Sequence, residues 1–373
     1  MIKSLKKTAN NLQQNIPGWH TGRKIVVIES DDWGSIRMPS KGAYDTLLSD
    51  GIRVDKCPYN KYDSLESVED LEALFSILSR FKDKNGRHPV ITANTNVANP
   101  DFEKIKRSGY KDYFYEPFTE TLKNYYPGQD VFGLYKKGMS DRMFQPQLHA
   151  REHVNAGMWL GQIREGSQHL EKAFDLGMFG LSMVTSPEIN TPYLATLIYR
   201  NDAEKEFVKE LIADGAALFE KIFGFTSKSF IAPLYTWSPE QEAALSASGV
   251  KYLQGANSHK SYDHNTNKRS RSFHAMGTKN NLRQIYLNRN CAFEPSLSAS
   301  LTTQNCLKEI SSAFFWKKPA VICSHRVNFM GGIDPANRTA NLKQLESLLQ
   351  AIVKRWPDVE FMSSDELGQV IEN

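Results

Sequence analysis

Short β-branched runs alternate along this chain with stretches whose apolar residues recur every three to four positions. Lys24-Ile-Val-Val-Ile-Glu29 is nearly continuous in apolar character, as expected of a strand buried on both faces. Comparable runs predict strands at 89–95, 143–149, 178–184, 228–233, 250–255, 319–325 and 359–363. Helical spacing lies between them. From Val68 to Phe81, the residues Val68, Leu71, Leu74, Phe75 and Leu78 share one helix face, and 203–223 and 338–354 have a similar pattern. Ser238-Pro239-Glu240 sets a serine cap and a first-turn proline at the head of a helix over 238–248. Strands alternating with helices imply parallel strands joined by crossover helices, an α/β fold of barrel form spanning residues 1–373 as a single domain. Two stretches interrupt the alternation, 110–142 and 258–279. The first holds Tyr110, Tyr113, Phe114, Tyr115, Phe118, Tyr125 and Tyr126, and the second is polar with His259, His264 and His274.

Three of the apolar runs end in residues able to carry chemistry. Glu29-Ser-Asp-Asp-Trp-Gly34 closes the first with adjacent carboxylates, Asp31 and Asp32, at the strand end where parallel α/β folds place ligand and catalytic groups. An Asp-Asp-x-Gly turn bonded to its own backbone has the same sequence. His149 and His153 close another run, four residues apart. On a helix from Ala150 to about Leu170 they would lie one turn apart on one face, close enough to share an ion. Such a pair in isolation is more often a solvated helix face. A carboxylate and two neutral imidazoles together supply three ligands and leave a coordination position open for water. Lys318-Pro-Ala-Val-Ile-Cys-Ser-His325 ends a third run in a candidate proton donor, His325.

These motifs resemble those of the polysaccharide deacetylases, the metal-dependent carbohydrate esterases that include chitooligosaccharide, chitin and peptidoglycan deacetylases. The family's Thr-Phe-Asp-Asp-Gly looks like Glu29–Gly34, its His-Ser/Thr-x-x-His like His149–His153, and its late hydrophobic-x-His motif like Ile322–His325. The resemblance implies a distorted (β/α)7-type barrel that removes an N- or O-linked acetyl group from a carbohydrate or carbohydrate precursor. It makes Asp31 the general base, Asp32, His149 and His153 the ligands of one divalent transition metal, and His325 the general acid. It also places the Tyr235 backbone amide on the oxyanion side. Zinc is the expected metal, and cobalt, nickel or ferrous iron also suit a shell without thiolates. Trp33 and Trp237 each follow directly on a motif and are the candidates for stacking on a sugar ring. The aromatics of 110–142 either border the site in the same role or pin a long loop to the barrel.

The departures from the family pattern are specific. The Arg-x-Pro-Tyr motif falls on Phe230-Ile-Ala-Pro-Leu-Tyr235, with Ile231 where the arginine belongs. That arginine orients and charge-pairs the catalytic aspartate. Arg151 is the nearest candidate in sequence to replace it. Ala150 stands in place of the second motif's hydroxyl residue, and there is no convincing copy of the fourth motif. Two other readings follow: a metal-free glycoside hydrolase on a similar barrel, and a carbohydrate-binding relative without turnover.

Composition agrees with an ordinary enzyme. Of 373 residues 40% are hydrophobic and 24% charged, enough for a large core, and the net charge of +4 gives no case for nucleic-acid binding. Basic clusters at Lys3–Lys7 and Lys268–Arg271 read as solvated faces, the second also able to meet an anionic glycan or a nucleotide-sugar phosphate. Cys57, Cys291, Cys306 and Cys323 have no CxxC spacing and read as free thiols. No apolar stretch reaches signal-peptide or membrane-span length, so the expected location is the cytoplasm.

Overall fold

The computed structural model describes residues 14–263 and 268–373. Lys3–Lys7 and His264 lie outside that range. One sheet organises the chain, built from β1 (Lys24–Trp33), β2 (Ile91–Asn96), β3 (Phe144–Ala150), β4 (Ser229–Ile231), β5 (Tyr252–Gly255), β6 (Ile285–Asn288), β7 (Cys291–Ala292), β8 (Ala320–His325) and β9 (Val359–Met362). Its order is β6-β5-β4-β3-β2-β1-β8-β7, and β9 pairs with the first residues of β1. All pairings in this sheet are parallel.

The end strands β6 and β7 are separated in the chain by only Arg289 and Asn290. Two residues span less than about 8 Å, so the sheet must curl until its edges meet at this link. The result is a distorted barrel, the barrel predicted by the alternation of elements and its distortion implied by the resemblance. Asn290 fills the seam: its side chain donates to the Pro319 carbonyl at 2.9 Å and accepts from the Val321 amide at 2.9 Å.

Strand β1 is buried on both faces, as its unbroken apolar run requires. Ile25 and Val27 pack with Tyr252, Leu287, Val321 and Met362, while Val26 and Ile28 pack with Leu71, Leu74, Leu345 and Leu348 of the covering helices. Those helices include Val68–Leu78, Asp202–Phe223, Pro239–Ala247 and Pro335–Arg355, close to the predicted ranges. Ser67 and Ser238 each form a capping box at a helix start.

Two predicted elements differ. Residues 178–184 form no strand, because the Tyr193 hydroxyl binds the Phe179 and Leu181 carbonyls and Asn60 binds that of Gly180, taking acceptors that a neighbouring strand would need. The single helix expected over Ala150–Leu170 is absent. His149 lies in β3, a loop follows, and helices begin only at Ala156 and Gln168, each behind its own cap, Asn155 and Ser167. The interruption at 258–279 contains a hairpin, Ser258–Asp263 with Lys268–Phe273. No helix among the described residues is long and apolar enough to cross a membrane.

Candidate functional site

Asp31 and Asp32 end β1, where its register against β2 shifts between Ser30 and Trp33. A local bulge of this kind re-aims side chains. Asp32 itself has φ 77°, a left-handed backbone that non-glycine residues seldom adopt. Gly34 follows at φ 76°, and a Cβ there would come within 2.4 Å of the Asn96 carbonyl, so the turn depends on glycine. This irregular exit points Asp32 across β2 to the end of β3.

There Asp32 Oδ1 lies 3.5 Å from His149 Nε2 and 3.5 Å from His153 Nε2. His149 Nδ1 is 2.9 Å from the Ile231 carbonyl. A carbonyl only accepts, so Nδ1 carries a proton, and Nε2 is the nitrogen turned toward Asp32. Burial, reinforced by the charge of Arg37, drives the His153 pKa well below the usual range and keeps that ring neutral. Asp32 Oδ2 and His153 Nδ1 are buried without a partner. Two imidazoles and a carboxylate make a donor set that suits a cation, and these three side chains place a ligand atom each within 4.8 Å of the others. The two histidines meet from a strand end and a loop, not from one helix face.

Asp31 points the other way. Burial alone would raise its pKa, but Arg289 outweighs that and holds it at about 2. The guanidinium grips both oxygens, Nη1 to Oδ2 at 2.8 Å and Nη2 to Oδ1 at 2.6 Å, with Nε on Glu29 at 2.6 Å. Asn94 adds a bond to Oδ1 at 2.7 Å. In the β1–β8 register Asp31 faces His325, whose Nε2 is 3.6 Å from Asp31 Oδ2. The opposite ring nitrogen binds Glu294 at 2.5 Å. Burial would lower the His325 pKa, yet the Glu294 carboxylate and both aspartates raise it to about 9, so the ring is protonated at neutral pH.

Glu294, Cys323 and His325 also bring ligand atoms together. Here the imidazole is cationic and Arg289 Nη1 lies 3.4 Å from Cys323 Sγ, which suits a proton relay and opposes a second metal. All four cysteines are unpaired.

The remaining sequence candidates are redistributed. Arg151 does not reach Asp31; it pairs with Glu152 at 2.6 Å and Asp214 at 2.7 Å, and lies over the Tyr115 ring at 4.2 Å. The partner of Asp31 is Arg289. Trp33 is fully buried, its indole donating to Ser30 Oγ at 3.0 Å. Trp237 is 4% exposed, stacks on His259 at 3.9 Å and donates to Glu242. Neither indole presents a face to a sugar. Tyr235 does reach the site, its hydroxyl accepting from Arg289 Nη1 at 2.9 Å. Its amide, however, donates to the Ala232 carbonyl at 3.0 Å and is not free for an oxyanion. The aromatics of 110–142 mostly anchor their segment: Phe118 is in the core, Tyr110 packs on Phe174, and the Tyr126 hydroxyl binds the Leu65 carbonyl.

Arg289, Glu294 and Arg37 are absent from the sequence reading. Arg289 directly follows the short run Ile285-Tyr-Leu-Asn288, but nothing local marks its pairing with Asp31. Arg37 donates to Asp32 Oδ1 at 2.7 Å.

No family model and no curated protein matches the chain. Among solved structures, a protein described as a glycoside hydrolase/deacetylase from Parabacteroides distasonis aligns over 94% of this chain and 71% of its own, at 9% identity and a TM-score of 0.50. The chain shares that fold. A protein described as a polysaccharide deacetylase from Mycobacterium smegmatis aligns over 96% of this chain and 93% of its own at 12% identity and TM-score 0.44. The chain spans 40% of a 4-α-glucanotransferase from Thermococcus litoralis, which covers 92% of this chain at 10% identity and TM-score 0.44. Several structural neighbours are thus polysaccharide deacetylases, and at these identities the likeness concerns architecture.

Proposed function

We propose that the protein is a divergent polysaccharide deacetylase, a metal-dependent hydrolase that removes an N- or O-linked acetyl group from a carbohydrate or carbohydrate precursor. The observation that carries this reading is the convergence of the His149 and His153 imidazoles on Asp32 beside a separately held Asp31. A divalent ion, zinc by preference, held by Asp32, His149 and His153 would acidify a water and polarise an acyl carbonyl.

Asp31 takes the proton of the attacking water. Its pKa of about 2 keeps it ionised over the working range, and Arg289 fixes its orientation. His325, protonated through Glu294, gives its Nε2 proton to the departing amine or alkoxide. The two groups face the same place from adjacent strands, an acid and a base whose pKa values are pushed apart by their neighbours.

Two rivals fare less well on the same geometry. A metal-free glycoside hydrolase needs a carboxylic acid with a raised pKa opposite a second carboxylate. Asp31, Asp32 and Glu294 are each bound to a cationic or imidazole partner instead. The inactive-binder reading rests on the missing arginine at Ile231, and Arg289 supplies a cation to Asp31 from the link between β6 and β7. Acetate release from N-acetylated chito-oligosaccharides and O-acetylated sugars tests the proposal. Activity that vanishes on chelation and returns with added zinc or cobalt is the expected result; turnover insensitive to chelation would favour the glycosidase.

A further inference from the structure

Four arginines among the described residues are buried at the heart of the molecule, and three use every guanidinium nitrogen. Arg289 binds Glu29, Asp31 and Tyr235; Arg326 binds Asp63, Glu66 and the Ser35 carbonyl; Arg151 binds Glu152 and Asp214. Arg37 differs. At 5% exposure it makes one hydrogen bond, Nη2 to Asp32 Oδ1, and its buried Nε has no partner. The nearest carboxylate to that nitrogen, Asp63, is 4.0 Å away, beyond hydrogen-bond reach. A guanidinium offers five N–H donors, and a buried one left unmet, as Nε of Arg37 is, is costly unless a ligand uses it.

The position says which ligand. Arg37 touches the same Asp32 oxygen that faces both histidines, so it borders the metal-ligand cluster. Its guanidinium carbon is 5.6 Å from the centre of the Tyr59 ring, and that ring packs edge-on against His325 at 5.3 Å. Arg37 and His325 therefore lie on either side of the Tyr59 ring. The amide expected to serve the oxyanion, that of Tyr235, is already bonded to Ala232, and the Tyr235 hydroxyl is held by Arg289.

We propose that Arg37 is a catalytic residue whose unused N–H groups receive the oxyanion that forms on the acyl carbon. The proposal rests on the acyl-hydrolase reading above. Water gives a proton to Asp31 as its oxygen bonds to the acyl carbon, and the carbonyl π pair moves onto the carbonyl oxygen. Arg37 donates to that oxygen. Collapse restores the C=O bond and breaks the C–N or C–O bond, and the leaving amine or alkoxide takes the proton of His325. Donors aimed at the charge that develops during reaction stabilise the transition state more than the ground state.

The test compares Arg37→Gln and Arg37→Lys with the wild type, measuring metal content, kcat, KM and the binding of inorganic phosphate, a tetrahedral anion, by calorimetry with and without the bound ion. Arg37→Gln should keep the ion, lose about 10²–10³ in kcat with KM changed less than about threefold, and bind phosphate at least about tenfold more weakly in the ion-loaded form. Arg37→Lys retains the charge beside Asp32 but not the fork, and its kcat should fall as well. Wild-type kcat in Arg37→Lys, phosphate affinity unchanged in both variants, or an effect on KM alone would overturn the assignment. If Arg37→Gln sheds the ion, Arg37→Lys decides. If even the wild type hydrolyses no acyl substrate, the function is wrong, and the phosphate titration still shows whether Arg37 binds an anion.

Discussion

Asp31, Asp32, His149 and His325 stand at or near the ends of apolar runs, which a parallel barrel gathers at one end, and the structure brings them together with His153. Their partners were not legible in the sequence. Arg289 lies 258 residues from Asp31, and its link depends on the seam between β6 and β7, which no local pattern announces. Arg151 is close to His149 in sequence, but its guanidinium is drawn to Glu152 and Asp214. Glu294 was invisible for the same reason as Arg289, and it governs the pH behaviour of the site. His325 has its folded pKa raised from 6.5 to about 9, chiefly by Glu294 working against burial. The stability gained from that pairing is full below the unfolded value and is lost as pH rises through about 9. The proposed catalysis has the same sign, since His325 as general acid must be protonated. The kcat profile should therefore hold up to an alkaline limb near 9, and Glu294→Gln should move that limb downward toward 6.5. A limb that stays in place in the variant would remove Glu294 from the relay.

At the scale of elements, seven of the eight predicted strands form close to their expected positions, and 178–184 does not, its carbonyls being taken by Tyr193 and Asn60. The two strands of the main sheet missing from the prediction are too short for periodicity to register, Ile285–Asn288 and Cys291–Ala292. The helix expected after His149 fails because Asn155 caps a later start, accepting from the Met158 amide at 3.1 Å. His153 still reaches the cluster, because the loop and not a helix face delivers it. The 258–279 interruption is tied to the barrel by stacked rings, Trp237 on His259 and His274 on Tyr286 at 4.1 Å. Trp237 is thus a structural anchor. Trp237→Ala should cost about 3–5 kcal/mol in denaturant unfolding, the range for emptying a buried tryptophan site. KM of the folded enzyme should stay at the wild-type value. A raised KM without loss of stability would restore the indole to substrate binding.

The whole molecule is a parallel sheet curled until Arg289 and Asn290 bridge its edges, with chemistry gathered at the strand ends. That curvature makes one site from residues spread between Asp31 and His325. It sets Asp32 and the two imidazoles on one side, Asp31 with Arg289 and His325 on the other, and Arg37 at the border. The central claim is that Asp32, His149 and His153 hold a divalent ion. Elemental analysis of the purified protein after equilibration with zinc and removal of excess ion, beside His149→Ala and His153→Ala, tests it most directly. The account predicts a stoichiometric ion in the wild type and its loss from both variants; equal metal content in all three proteins, or none in the wild type, would contradict it.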